Sequence, residues 1–479
     1  MTELPDYTAV ELVDLYRRRE ASPLEVVDAV LTRVDAMEPV LNTYAARDDR
    51  AARAMAKASE QRWARNAPLS PLDGVPVSIK DLVLTRGLPT GRGTITTSPD
   101  PGGEDAPIAA RLRESGAVIM GKTTVSELGW KGVGDNPATG VTRNPWDPER
   151  TPGASSAGAA AGVAAGLATL GTGSDGGGSI RIPASFCGVY GLKPTHGAVP
   201  SWPPSPVGSL SHLGPLTRCV DDAVLAMNLI AQPDSRDWTA SPRWMNEFDG
   251  EPEFELRGRR IAFSPTLGYA KVDPEVAEIV QSAARAFEEM GAHVELVEEV
   301  FEDPISIYRP LFLAAYAHFT ETWDEKRLSL LDPGLRDVVD AGRPVDISAY
   351  LRAVGDRERF ATSAQRFFDT FDLLLTPTMP VVALPVGMDT LEPTESVPSW
   401  LDWNPFTYPF NLSQQPAATL PCGFTAEGLP VGLQIVAAKH RDALVLNASR
   451  AFESRHPFRM PDPNEVQARL LQFQNSNEE

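Results

Sequence analysis

The stretch formed by residues 171–183, GTGSDGGGSIRIP, places three consecutive glycines directly before Ser179. Glycine loses more conformational entropy on folding than other residues, so three in succession indicate a specific backbone requirement. One such requirement is a loop that cradles phosphate. The other is a backbone held close to a reacting atom, with Ser179 as the residue that reacts.

The phosphate alternative lacks most of its pattern. A phosphate-binding loop needs G-x-x-x-x-G-K-[ST], and no lysine follows these glycines. The dinucleotide fingerprint G-x-G-x-x-G is formally present at Gly171, Gly173 and Gly176. However, IRIP (180–183) follows where the fingerprint requires a helix to begin, and Asp175 would bring a negative charge to the phosphate. Nucleotide binding is therefore disfavoured.

A serine nucleophile needs a base, and the residues leave two kinds open. No serine lies in the G-x-S-x-G pattern, and the six histidines are scattered, so a Ser-His-Asp triad has no supporting pattern. A lysine can serve where burial lowers its pKa, and Lys80 ends the apolar run VPVSI. Between Lys80 and Ser179 lie Ser155 and Ser156, which by themselves would only cap an alanine-rich helix.

Together, Lys80, Ser155 and Ser179 resemble the amidase signature family of Ser-cisSer-Lys hydrolases. The motifs that carry the resemblance are LDGVPVSIKDLV (72–83), TRNPWDPERTPGASSAGAAAGVAAG (142–166), GSDGGGSIRIPASFCGVYGLKPT (173–195) and LPVGLQIV (429–436). They occur in the family's order, and the resemblance extends over residues 10–452.

The resemblance implies a role for each of these residues. Ser179 is the nucleophile, and Ser155, preceded by a cis peptide bond, is the bridging serine that relays the proton. Lys80, neutral in the resting enzyme, is the base and later the acid, and Ser156 adds a hydrogen bond. The backbone N–H groups of four residues form the oxyanion hole: Gly176, Gly177, Gly178 and Ser179. Asp175 and Arg181 brace the loop as an ion pair.

One departure from the family pattern concerns the substrate. The usual Gly-Gly-Ser-Ser-Gly-Gly-Ser is here Gly-Ala-Ser-Ser-Ala-Gly-Ala, so that Ala154, Ala157 and Ala159 replace glycine, glycine and serine. We expect the Ala154 methyl group to lie beside the cis bond and near the substrate. The family's common substrates therefore cannot be assumed.

The substrate pocket is expected where three segments meet: the loop 130–142, a helical insertion, and the aromatic segment 399–415. The aromatic residues of the last segment favour an apolar acyl or aryl site. The candidate substrate-binding residues are Trp130, Gly132, Ala154, Trp403, Phe406, Gln414 and Gln415.

Composition limits the other functions. The 479 residues carry a formal net charge of −20 without a basic block, so neither nucleic acid nor an anionic membrane is an expected partner. Three widely spaced cysteines form neither a disulfide framework nor a zinc ligand set. The N-terminus lacks the pattern of a signal peptide, and a reducing cytoplasm fits the cysteine usage best.

Strands that alternate with helices predict an α/β fold. We expect one large α/β/α layered domain, with a mixed, twisted central sheet covered by helices on both faces. Residues 1–66 are predicted to be helices packed on the core, and residues 67–479 to form the core with a helical insertion at about 300–370. The sequence does not decide between a monomer and a homodimer.

The leading hypothesis is a serine hydrolase that cleaves the C–N bond of a small amide or carbamate through an acyl-enzyme. The resemblance implies no metal and no organic cofactor. A glutaminase subunit of a tRNA-dependent amidotransferase is the first alternative, since it shares the fold and the triad. It would require a carboxylate-binding arginine in the pocket and a partner subunit. A non-catalytic binding protein of the same fold is the second.

Overall fold

The computed structural model describes residues 3–242, 248, 254–391 and 396–478. The helices are α1 (Ala9–Arg18), α2 (Pro23–Leu41), α3 (Asp49–Ala64), α4 (Pro107–Glu114), α5 (Ala157–Ala164), α6 (Arg181–Cys187), α7 (Val220–Ile230), α8 (Pro274–Glu289), α9 (Ile305–Phe319), α10 (Glu325–Leu328), α11 (Pro333–Gly342), α12 (Ile347–Phe367), α13 (Tyr408–Leu412), α14 (Asp442–Arg455) and α15 (Pro463–Glu478). Within the described ranges, no helix is both long and apolar enough to cross a membrane.

The strands are β1 (Tyr44–Arg47), β2 (Pro76–Lys80), β3 (Val118–Thr123), β4 (Asp135–Asn136), β5 (Gly140–Val141), β6 (Leu170–Asp175), β7 (Tyr190–Lys193), β8 (His212–Thr217), β9 (Arg260–Phe263), β10 (His293–Leu296), β11 (Leu373–Pro377), β12 (Ala417–Phe424) and β13 (Pro430–Ala437). Apart from the pair β4–β5, they form one sheet in the order β1-β3-β2-β6-β8-β7-β12-β13-β11-β9-β10. Helices flank this mixed sheet, which confirms the α/β prediction.

The three neighbouring strands β3, β2 and β6 run parallel to one another, so their carboxyl ends lie at the same edge of the sheet. Strand β2 is buried along its whole length and ends at Lys80. Strand β6 ends at Asp175, directly before the glycine run. Parallel pairing therefore brings Lys80 and the glycine loop together although the chain separates them by more than ninety residues.

Helix α5 supplies the third part of this edge. All eight of its residues are alanine, glycine or valine, and all are buried, as predicted for a helix inside the protein. A Cβ at Gly158 would overlap the backbone of Thr43 and Thr124, so only glycine permits this close approach. The tight packing fixes Ser155 and Ser156, at the N-terminal end of α5, against the ends of β2 and β6.

Two local expectations were wrong. Helix α6 begins at Arg181, within IRIP, because a proline in the first turn of a helix removes no helical hydrogen bond. Residues 1–66 contain more than helices, since β1 pairs with β3 and forms an edge of the main sheet. The capping boxes at Thr8 and Ser22 are present and start α1 and α2.

The helices α9 to α12 lie in the region predicted as a helical insertion. Their apolar residues form a cluster with the segment 399–412 that is separate from the core around β2. Tyr308 and Phe312 of α9 belong to this cluster, together with Trp400. The insertion therefore forms a second apolar layer that faces the edge of the sheet where Lys80 and the glycine loop meet.

Candidate active site

Lys80 is fully buried, and its ammonium nitrogen is surrounded by oxygen atoms. Nζ lies 2.8 Å from Ser155 Oγ, 2.8 Å from Ser156 Oγ and 3.1 Å from the carbonyl oxygen of Ser174. A neutral amine has two N–H donors and one lone pair, so these three partners match its full capacity. The arrangement lets Nζ donate to two oxygens and accept from one serine hydroxyl.

Burial lowers the pKa of Lys80 well below its ordinary value, and Asp175 opposes this only in part. Within the described chain, no carboxylate lies within ion-pair distance of Lys80 Nζ, because Asp175 is paired with Arg181 at 2.9 Å. A buried amine without an anionic partner favours its neutral form. The site thus holds a lysine that is more readily neutral than an ordinary lysine and can accept a proton from a serine hydroxyl.

Ser179 lies beside this group. Its Oγ accepts a hydrogen bond from the backbone N–H of Ser155 at 3.3 Å. Among the described residues, the hydroxyls of Ser155 and Ser179 share no hydrogen bond. Proton transfer between them requires the two hydroxyl oxygens to come within hydrogen-bond distance. Catalytic hydrogen bonds are often loose before a substrate binds.

The peptide bond before Ser155 departs from the expectation. In the described part of the chain, cis bonds precede Pro203 and Pro398, and the Ala154–Ser155 bond is not cis. The trans form is the favoured form at a non-proline residue. The contacts of Ser155 with Lys80 and Ser179 are made with this trans bond.

The loop after β6 has its carbonyl groups fixed one after another. The Ser174 carbonyl accepts from Lys80 and the Asp175 carbonyl from Asn411 at 2.9 Å. The Gly176 carbonyl accepts from the Tyr308 hydroxyl at 2.9 Å. The Gly177 carbonyl accepts from Asn404 Nδ2 at 2.7 Å and Thr407 Oγ1 at 2.5 Å. Because the C=O and the following N–H of a trans peptide point in opposite directions, this fixes the N–H groups as well.

Three of the four N–H groups expected in the oxyanion hole are available. Within the described residues, those of Gly176, Gly177 and Ser179 form no intramolecular hydrogen bond. The Gly178 N–H donates to Asp175 Oδ1 at 2.7 Å, which corrects the expectation for that residue. Gly178 acts instead in the turn: its φ is +133°, and a Cβ there would overlap Thr407 and Ile182. Gly177 needs glycine for space, since a Cβ would overlap the Tyr308 hydroxyl.

Asp175 and Arg181 form a fully buried ion pair with two hydrogen bonds of 2.9 Å. Burial alone would raise the pKa of Asp175, but Arg181, together with Lys193 and Asn411, outweighs burial and lowers it to about 2. The remaining Arg181 donors reach the Thr407 carbonyl, Gln434 and Asn411 at 2.7–2.9 Å. With every donor matched, the pair fixes the loop from behind, in agreement with the bracing role expected from the sequence.

Ser155, Gly176, Gly177 and Ser179 line a cavity of about 300 Å³. Trp130 and Gly132 line it too, as expected. The helical insertion contributes as well, as expected, through the α9 side chains Tyr308, Phe312, Tyr316 and Phe319. The proline-rich loop of residues 201–207 also lines the cavity and was not predicted, because no local pattern connects it to Ser179.

Five expected binding residues lie outside the cavity wall: Ala154, Trp403, Phe406, Gln414 and Gln415. Ala154 is fully buried in the apolar cluster of the insertion, and its N–H donates to the Gly132 carbonyl. Trp403 lies behind Gly132, since a Cβ at Gly132 would stand 2.8 Å from its ring, and it donates to the Asp389 carbonyl. Of the aromatic residues in 399–415, Trp400 lines the cavity.

The other three are held by different partners. Phe406 is fully buried in the cluster of Phe410 and Val436. Gln414 accepts from Lys439 Nζ at 2.9 Å, and Gln415 bonds to Ser413 and to the Ala364 carbonyl. These polar and apolar contacts turn the side chains into the protein body.

The chain is similar to known proteins over nearly its whole length. The family model described as Amidase matches residues 25–446. The chain is 36% identical over 474 residues to an acylamidase of Rhodococcus erythropolis, covering 94% of this chain and 96% of the relative. It is 34% identical over 476 residues to one subunit of the glutamyl-tRNA(Gln) amidotransferase of Desulforudis audaxviator, covering 94% and 96%. A bacterial aryl acylamidase superimposes with a TM-score of 0.85 at 28% identity, covering 97% and 98%.

Proposed function

The chain belongs to the amidase family, and on that premise we propose that it hydrolyses the C–N bond of aryl amides with Ser179 as the nucleophile. The observation that carries this proposal is the contact of buried Lys80 with Ser155, next to Ser179 and three free loop N–H groups. An amine without an anionic partner is costly to bury, and here it lies against the serine hydroxyl that can relay its proton.

The reaction begins with proton transfer. Ser155 gives its proton to Lys80 Nζ and takes the proton of Ser179, whose oxygen attacks the carbonyl carbon of the amide. The carbonyl oxygen becomes an oxyanion that accepts hydrogen bonds from the N–H groups of Gly176, Gly177 and Ser179. These donors are fixed before the substrate arrives, so they stabilise the developing charge without reorganisation.

The second half of the reaction returns the proton. Lys80, through Ser155, protonates the departing nitrogen, the C–N bond breaks, and the amine leaves an ester on Ser179. Water then attacks this ester by the same steps and releases the carboxylic acid. An O-alkyl N-aryl carbamate would follow the same course: its acyl-enzyme is a carbonate, which water resolves to an alcohol and carbon dioxide.

An aryl group suits the cavity better than glutamine does. Trp130, Trp202, Tyr308, Phe312 and Trp400 line it and offer flat apolar surfaces. Glutamine carries an ammonium group beside its carboxylate, and an ammonium needs an acidic or carbonyl partner. In the described part of the chain, no Asp or Glu lines the cavity. Arg92 supplies the arginine that the glutaminase alternative requires, but the described wall residues offer the ammonium group of glutamine no acid, which favours an amidase that acts alone.

The test uses the purified chain and its Ser179→Ala variant with three substrates: an acyl anilide, an O-alkyl N-aryl carbamate, and glutamine. We expect aromatic amine from both aryl substrates and little ammonia from glutamine. Ser179→Ala should lower kcat/KM by about a thousandfold or more, because removal of a nucleophile disables the whole group. Efficient glutamine hydrolysis without action on either aryl compound would overturn the proposal.

A further inference from the structure

The charge of the cavity wall contrasts with that of the whole protein. The chain carries a net charge of −20, yet the described residues that line the cavity include two cations, Arg92 and Lys131, and no acid. Lys131 is neutralised by Asp135 at 2.7 Å, Asp332 at 3.0 Å and Asp389 at 3.5 Å. Arg92 therefore decides the net charge that a ligand meets.

The Arg92 guanidinium has no protein partner among the described residues: neither an ion pair nor a side-chain hydrogen bond involves it. The backbone of Arg92, in contrast, is fixed. Its N–H donates to Asp81 Oδ2 at 2.8 Å, and its C=O accepts from the Leu128 N–H at 2.8 Å. Within the described chain, the guanidinium is thus the one polar group of Arg92 without a hydrogen-bond partner. Arg92 lines the cavity and is half-buried.

The conformation of Arg92 adds an independent observation. Its φ is +57°, in the left-handed region that glycine adopts freely and other residues adopt at a cost of about 1 kcal/mol or more. Gly91 and Gly93 flank it, so the loop is otherwise built from the residue that the backbone favours. Glycine would adopt this backbone conformation more easily than arginine does. The contribution of Arg92 at this position is therefore its side chain.

We propose that the natural substrate is an amide that carries a carboxylate, and that Arg92 binds this carboxylate as the specificity-determining residue. A guanidinium presents two parallel N–H donors that match the two oxygens of a carboxylate. The proposal rests on the proposed function and narrows its substrate class. A mono-anion fits this wall, whereas an amino acid such as glutamine would bring an ammonium group toward Arg92.

The carboxylate can belong to either half of the amide, and matched substrates distinguish the two. For the amine half, 4-acetamidobenzoate is compared with 4-acetamidotoluene. For the acyl half, N-phenylsuccinamate is compared with the anilide of pentanoic acid. In the wild-type chain, kcat/KM for one carboxylated substrate should exceed that of its neutral partner by about 10- to 100-fold, the range of a charge-assisted hydrogen-bonded pair. The effect should lie mainly in KM.

The variants are Arg92→Gly, Arg92→Gln and Arg92→Lys, with Arg86→Gln as the control. Arg86 lies in the same loop, is 63% exposed and does not line the cavity. Arg92→Gly removes the cost of the positive φ at this position, so this variant is expected to fold. Arg92→Gly and Arg92→Gln should abolish the preference for the carboxylate, Arg92→Lys should keep part of it, and Arg86→Gln should keep all of it.

A binding measurement keeps this proposal separate from the hydrolase proposal. Tryptophans line the cavity, so quenching of their fluorescence reports binding of 4-acetamidobenzoate and N-phenylsuccinamate to the Ser179→Ala variant, which has no nucleophile. Adding Arg92→Gly should weaken the binding of one of them by about 10-fold or more. Hydrolysis of neutral and carboxylated anilides at equal rates, or equal binding with and without Arg92, would overturn the inference and leave the hydrolase proposal intact. Carboxylate binding through Arg92 without turnover of any anilide would overturn the hydrolase proposal and leave the role of Arg92 in binding intact.

Discussion

Lys80 and Lys122 lie on the neighbouring parallel strands β2 and β3, and both side chains are withdrawn from solvent. Their surroundings nevertheless give them different charges. Lys122 Nζ lies 3.2 Å from Asp81 Oδ1 and also bonds to Thr90 and the Val83 carbonyl. Burial lowers the pKa of Lys122. Asp81 opposes this effect, so the pKa falls only to about 8. At pH 7 this lysine remains mostly protonated.

Asp81 follows Lys80 directly in the chain, yet its carboxylate forms an ion pair with Lys122 of the next strand. Lys80 is left with two hydroxyls and a carbonyl. Burial acts on both lysines, and the partner decides the outcome. Of these two lysines, Lys80 has no carboxylate partner among the described residues and suits the role of a base, whereas Lys122 has one and suits that of a structural cation.

The largest contrast is expected between Lys80→Met and Lys122→Met. Lys80→Met removes the base and should lower kcat/KM at pH 7 by about a thousandfold or more, with the fold retained. Lys122→Met leaves Asp81 buried without its cation and should lower the free energy of unfolding by about 3–5 kcal/mol. Release of aniline and urea denaturation measure the two effects. Near-normal activity of Lys80→Met would show that the base is another residue.

The pH dependence should follow Lys80 and not Lys122. Only the neutral amine accepts a proton, so kcat/KM should rise with pH through the pKa of Lys80, which burial holds well below 10.5. Asp81→Asn removes the charge that raises the pKa of Lys122, so that pKa would fall further. If Lys80 is the base, this variant leaves the midpoint of the pH–rate profile in place. A profile that is flat from about pH 5 to 9, or a midpoint that Asp81→Asn moves to lower pH, would contradict the assignment.

The smallest effect concerns the hydroxyl partners of the two lysines. Ser156→Ala removes one oxygen from Lys80 Nζ and should lower kcat by about 10-fold, the worth of one hydrogen bond to the reacting amine. Thr90→Ala removes the corresponding oxygen from Lys122 and should lower the free energy of unfolding by about 1–2 kcal/mol, with kcat unchanged. Steady-state kinetics and denaturation of both variants give the comparison. If Ser156→Ala had the same kcat as Thr90→Ala, Ser156 would not act on the base.

The reacting groups could be predicted from the sequence because they lie in short contiguous motifs. The glycine run, the apolar strand that ends at Lys80 and the serine turn each have a local cause: backbone space, burial and helix capping. The helix α6 was missed because the proline suggested a break.

Only the tertiary structure decided the walls of the cavity and the charge of the lysines. Ala154 precedes Ser155 by one residue and was expected in the pocket, but packing against the insertion buries it. The helical insertion was expected at the pocket, but not which of its side chains line the cavity, and the proline-rich loop 201–207 was not expected there. Such contacts depend on how the layers meet, which no local pattern contains. In the same way the sequence determined that Lys80 and Lys122 lie in buried strands, and the fold determined which of them would be left without a carboxylate.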